Sequence, residues 1–419
     1  MPSGTYEGSV VIDKQVSLRG EGWPVLDGNG EGTIIEVTAP GVRIEGFVIR
    51  DSGQTLDHED SGVKALARGV EIVGNRIEDV LFGVYLEGAD GAVVTDNEIS
   101  AKDLMIARRG DLLHVFESDG TVVERNTIVG GRDAVVWFSD DTVVRDNLFR
   151  KGRYGMHYMY ADDGVLERNR FEENSVAAFL MFSHHMEVRN NVFSASDGPS
   201  GYGVGFKDVD GAVLEDNRIV GNRVGVFVDT SPFSLDEFIY YRRNIFAFND
   251  VGVMFQPSIQ RNIFSRNAFI DNRQQVAVRG GGFVPESNEW TEDGVGNHWG
   301  DYAGFDANGD GIGDMPYRAE DLFGDVTDRH PDVKLFADTP AARVLDLAAK
   351  AFPVFRPEAR AVDTAPMLDL PDLPSAPGSP AEPSVRGLVG VSVGLLMLAA
   401  AIVVVSGAGP RRRTAGVRP

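Results

Sequence analysis

The 419 residues contain no cysteine, so any soft metal must be held by imidazole and thioether rather than thiolate. Those side chains gather in three short segments: "LLHVFESD" from Leu112, "GMHYMYAD" from Gly155 and "AAFLMFSH" from Ala177. They carry His114, His157, Met159 and Met181, and "SHHM" (His184, His185, Met186) lies at the turn just after Met181. Thioether sulfur with imidazole nitrogen suits Cu(I). A second candidate is "DANGDGIGD", with Asp306, Asn308 and Asp310 at positions 1, 3 and 5 of an EF-hand-like loop, Gly311 at 6, the Ile312 carbonyl at 7 and Asp314 at 9. Tyr317 stands where the bidentate acid of position 12 is expected. Calcium and a metal-free Gly/Asp turn both remain open there.

These residues sit on a repeat. V-x-x-N-x-(I/F) recurs at Asn75, Asn97, Asn126, Asn147, Asn169, Asn191, Asn217, Asn244 and Asn267, at spacings between 21 and 29 residues. Such a period means a solenoid. Between successive asparagines lies a second alternating segment, and Gly, Asn and Asp separate the two, so each coil holds two or three short strands. The fold class expected is all-β, a right-handed parallel β-helix that adds about 4.8 Å per coil. The Asn column reads as structural, because Asn tolerates a left-handed corner and stacked carboxamides can bond from coil to coil.

Strand phase then sorts the second segment. Leu113 and Val115, Val135 and Trp137, Met156 and Tyr158, and Ala178 and Leu180 are expected inside. His114 and Phe116, Val136 and Phe138, His157 and Met159, and Phe179 and Met181 are expected outside. An outward column of Phe, Met and His is unusual for a solvated sheet face. It is either a copper site or a dry interface, with Phe116, Phe138 and Phe179 as the partner-docking surface. A rival reading is a glycan lyase or epimerase built on Asp140, Asp141, Asp162 and Asp163 beside Arg132 and Arg153, although Asp at such turns commonly bonds local backbone. A surface stalk is a third reading.

The 63 acidic and 40 basic residues give a net charge of -23, spread along the chain, which argues against nucleic acid and suits a salt-adapted acidic surface. The expected organisation is a β-helix over 1–290, a cap over 291–335 that includes Trp299, Tyr302 and Tyr317, and a short helix over 336–356. An extended Pro-rich tether follows over 357–386, then a membrane-spanning helix over 387–406 and a basic cytoplasmic tail over 407–419. Arg411, Arg412 and Arg413 after the apolar run place the preceding residues outside the cytoplasm, on the periplasmic or cell-surface side. The first residues carry no apolar leader and read like the interior of a repeat, so a truncated start is expected.

"NHWGDYAGFDANGDGIGDMPY", "LFGVYLEGADGAVVTDNEI", "RYGMHYMYADDGVLERNRF" and "VIDKQVSLRGEG" together resemble the NosD family of nitrous oxide reductase maturation factors, over roughly residues 4 to 345. The resemblance implies a β-helix that is not itself an enzyme. It implies an extracytoplasmic protein working with the ATPase and membrane subunits of an ABC transporter and with a copper chaperone. Its role would be assembly of the copper-sulfide centre of nitrous oxide reductase, and the outward His/Met/Phe column becomes a copper-receiving and docking surface. The C-terminal anchor departs from a family expected to be soluble in the periplasm.

Overall fold

The structure is a computed structural model that describes residues 1–282, 284–320, 332–333, 339–340, 344 and 359–371. Three parallel sheets wind about one axis. The first has 13 strands, from Thr5–Glu7 to His298–Trp299; the second has 12, from Val10–Ile12 to Gln274–Val278; the third has 11, from Ser17–Arg19 to Asn262–Ser265. Each strand pairs in register with the equivalent strand one coil away, for example Val143↔Val165 and Phe149↔Phe171. At about 4.8 Å per coil, thirteen layers make a rod on the order of 60 Å.

The V-x-x-N segment spans the corner between the third and first sheets. The left-handed residue there is the one before the asparagine: Asp96, Arg125, Asp146, Arg168, Asn190, Asp216, Arg243 and Arg266 all have φ between 52° and 59°. The asparagine itself turns inward and is buried. Its side-chain oxygen accepts from both the backbone N–H and the carboxamide N–H of the coil before, as Asn126 does from Asn97 at 3.0 Å for each. The same pair of bonds repeats up the rod to Asn297. The buried donors of the asparagines at this corner are thereby matched, as buried polar groups require.

Inside the rod, residues of one register stack. Phe149, Phe171 and Phe193 lie 5.0 Å apart with near-parallel rings. A second stack, Phe246, Phe269, Trp299 and Tyr317, runs from the last coils into the segment beyond them, with centroids 4.2–4.7 Å apart. The solenoid therefore passes the expected boundary at 290, because His298–Trp299 adds a strand to the first sheet.

The tether expected from residue 357 is corrected over 359–371. This stretch folds back: Val362–Asp363 pairs antiparallel with Tyr317–Arg318. The Asp363 carboxylate takes the N–H of Asn297 at 2.7 Å and the indole N–H of Trp299 at 2.9 Å. The physical reason is the ladder itself, whose last asparagine has donors and no further coil to accept them. Among the described residues no helix is long and apolar enough to cross a membrane. The expected span at 387–406, the tail at 407–419 and most of the 336–356 helix lie outside the described residues.

Candidate metal centre

The second sheet presents its outer face in two adjacent rows. One reads Lys64, Tyr85, His114, Val135, His157, Phe179 and Gly205; the next reads Glu87, Phe116, Trp137, Met159, Met181 and Lys207. Tyr154–Met159 and Val176–Met181 follow the expected phase. Asp133–Trp137 does not: Val136 is in the core, while Val135 and Trp137 face out. The register slips between Asp133 and Val135, because Asn126 and Asn147 are only 21 residues apart. One missing residue reverses every later side chain of a strand. Trp137 thus replaces Phe138 beside Met159, and Phe138 moves to the following corner with φ of 49°.

His157 Nε2 lies 3.3 Å from Met181 Sδ. Met159 and Met181 are direct register partners on neighbouring strands, and Trp137 pairs with Met159 on the other side. The His157 ring stacks on Tyr154 at 4.9 Å and meets Trp137 edge to face at 5.9 Å. Burial holds the His157 pKa below the ordinary histidine value, against the pull of Asp133. The ring is therefore neutral at pH 7, the form that binds metal. His157, Met159, Met181 and Trp137 are each half-buried and reachable from solvent.

His114 is not brought into this group. It lies two strands from His157, about 9.6 Å by strand spacing, with Val135 between them. Its Nδ1–H donates to Asp111 at 2.9 Å, and its ring stacks on Tyr85 at 4.6 Å. "SHHM" divides as well: Met186 is fully buried in the core, while His184 and His185 sit on an acidic row beside Asp162 and Asp163. In that row Asp140 and Asp162 each use Oδ1 to accept the backbone N–H of the next coil, at 2.8 Å for both pairs. Arg132 and Arg153 instead pair with the buried Asp111 and Asp133. The constellation weighed for lyase chemistry is thus dispersed into separate structural pairs.

Of the docking residues, Phe179 lies in an outward apolar cluster with Tyr202 and Phe227. Phe116 meets Phe138 edge to face at 5.9 Å, and Phe138 opens a stack with Tyr160 and Phe182 at 5.1 and 4.8 Å. All three stacked residues have left-handed backbone, and Phe138 and Tyr160 are 48% and 46% exposed. Sequence reading missed Tyr160 and Phe182. The spacing of 22 residues from 138 to 160 to 182 was the available signal.

In the Asp306 loop, the Asp306 carboxylate accepts the N–H groups of Asn308, Gly309 and Gly311 at 2.6–3.2 Å. These donors, Gly311 first, hold its pKa below the usual carboxylate value. Asp310 accepts from the Ile312 N–H, and Asp314 from the Ala307 N–H. Among the described residues no group of three or more His, Asp or Glu converges on one point.

A family model described as NosD, periplasmic copper-binding protein, matches residues 95–304, which takes in the whole His157 cluster. The probable ABC transporter binding protein NosD of Pseudomonas aeruginosa is 32% identical over 385 residues, covering 88% of this chain and 88% of that protein. The protein of the same description from Stutzerimonas stutzeri is 30% identical, covering 88% and 86%. A solved structure, the A-module of mannuronan C-5 epimerase AlgE6 from Azotobacter vinelandii, is similar with a TM-score of 0.54 at 13% identity, over 72% of this chain and 90% of that one. That likeness is one of fold, which β-helices of many functions share. A model spanning half the chain, and two relatives matched along nearly nine-tenths of it, make the chain a member of the NosD family.

Proposed function

We propose that the chain is an extracytoplasmic copper-receiving factor in nitrous oxide reductase maturation. It takes Cu(I) from a copper chaperone on the outer face of the second sheet and acts with the ATPase and membrane subunits of an ABC transporter. The copper is cargo destined for the copper-sulfide centre of the reductase. The observation that carries this reading is the approach of His157 Nε2 to Met181 Sδ, with Met159 in register beside them. A neutral imidazole and two thioethers form a soft donor set that binds Cu(I) without a negative charge, so release to a thiolate- or sulfide-rich acceptor is favourable. His157, Met159 and Met181 are the ligands in this reading; His114 is not.

Phe116 and the Phe138–Tyr160–Phe182 ridge border the site and form the docking surface, with Phe179 on the opposite flank. Bulky residues are costly in left-handed backbone, and mutual stacking offsets only part of that cost. Half-exposed rings kept there suit a partner that covers them. The stretch 387–406 anchors the protein to the membrane in this reading, and the Asp306–Asp314 loop holds calcium at the cap. A rise in melting temperature on adding calcium, absent in Asp310→Ala, tests the loop.

The main test is a Cu(I) competition titration of wild type, His157→Ala, Met181→Ala, Met159→Ala and His114→Ala. One tight site is expected, weakened at least tenfold by each of the first three changes and little by the last. Equal affinity in wild type and His157→Ala would refute the site.

A further inference from the structure

Trp137 faces outward on the second sheet, in the row that holds Met159 and Met181. Its indole N–H is buried and has no hydrogen-bond partner among the described residues. An unmatched buried donor carries a desolvation cost that Phe would not incur. The ring is held from both sides: it meets His157 at 5.9 Å and His114 at 5.5 Å, both edge to face. His114 is itself fixed by the Asp111 carboxylate and the Tyr85 ring. An otherwise unexplained buried histidine thus buttresses the indole from the side opposite the His157 cluster. Register then sets Trp137 next to Met159, and Met159 next to Met181.

Resting on the copper reading above, we propose that Trp137 is the specificity-determining wall of the site. It is a non-coordinating indole that lies against the bound univalent ion and closes one side of it to water and further ligands. Trp has the strongest aromatic attraction for a cation, and it demands no coordination bond in return. Divalent ions such as Zn(II) prefer a fuller shell of nitrogen and oxygen ligands, which a ring on one side denies them. The wall therefore selects by low coordination number, while His157, Met159 and Met181 supply the bonds.

The test uses the full-length chain in mild detergent, with Ag(I) as a redox-inert probe for Cu(I) and Zn(II) as competitor. Wild type, Trp137→Phe, Trp137→Ala and His157→Ala are compared by equilibrium dialysis and by indole emission. Wild type is expected to take up one Ag(I) and to lose part of its emission on doing so. Trp137→Phe should bind Ag(I) with no emission change, because Trp23, Trp290 and Trp299 lie in other coils. Trp137→Ala should lose at least tenfold of the preference for Ag(I) over Zn(II). His157-dependent Ag(I) uptake, with wild-type emission unchanged or with the preference intact in Trp137→Ala, would overturn the wall and leave the copper site standing. Absence of His157-dependent uptake in wild type would refute the copper reading and this inference with it. If Trp137→Ala does not fold, the emission comparison with Trp137→Phe still decides.

Discussion

Replacing Asp363 by asparagine changes one oxygen to an NH₂ group and removes a charge, at a point where nearly every neighbour is a donor. Asp363 Oδ2 accepts from Asn297 N–H and Trp299 Nε1–H, and Oδ1 accepts from Ala365 N–H at 3.0 Å and the Thr291 hydroxyl at 3.2 Å. Burial raises the carboxyl pKa, and the surrounding donors oppose it, the Trp299 indole N–H first. The best orientation of an amide keeps its oxygen on Asn297 and Trp299 and turns its NH₂ toward Thr291, which can accept, and Ala365 N–H, which cannot. One orphaned N–H costs about 1–3 kcal/mol, and two charge-assisted bonds become neutral ones at about 1 kcal/mol each. Relief of a buried charge returns part of this, so the expected net loss is about 2–4 kcal/mol. Urea unfolding followed by tryptophan emission measures it, since Trp290 and Trp299 report on this end of the rod. A loss under about 0.5 kcal/mol would refute the argument that the ladder needs a carboxylate at its end.

Asn147→Ala deletes the acceptor of two Asn126 donors and the donor to Val123 O, all buried, and should cost about 3 kcal/mol in the same unfolding experiment. Tyr160→Asn loses two ring stacks but relieves left-handed strain, so its stability should stay within about 1 kcal/mol of wild type while partner capture falls. His157 has a folded pKa below its unfolded value, so the unfolded chain binds the extra proton. Stability is then full above about pH 6.5 and falls as the pH drops toward the folded pKa, a slope that His157→Gln should remove from pH-dependent melting curves. Cu(I) affinity should likewise decline as the pH falls toward the lowered pKa of His157, where protons compete with the metal.

The coils were legible because one asparagine per turn performs one backbone task, and that task repeats without regard to its surroundings. The inward and outward faces at 154–159 and 176–181 were legible for the same reason, a strict period of two. Trp137 was misplaced by a single missing residue, although the spacing of 21 before Asn147 had marked the coil that would slip. Asp363 could not be read. A Pro-rich stretch looks like a tether until the last coil supplies donors in search of an acceptor, and that demand is tertiary. Strand phase offers His114 as a candidate ligand because it says which way a side chain points and nothing about the neighbour one coil over.

The unequal coil lengths also act as a frame. Residues 51–60 and 102–111 add length between the first and second sheets, and their Leu56 and Leu104 lie over Phe82 and Tyr85. Residues 195–201 add length at the same corner farther along. Between these extensions the coils from Asn126 to Asn191 have only short corners there, and those coils carry Trp137, His157, Met159 and Met181. The rod thus resembles a wall shuttered on both sides of these coils, with the opening over them set by the lack of an insertion there. Lengthening a corner near 151–153 would draw a shutter across the opening without disturbing a single rung of the asparagine ladder.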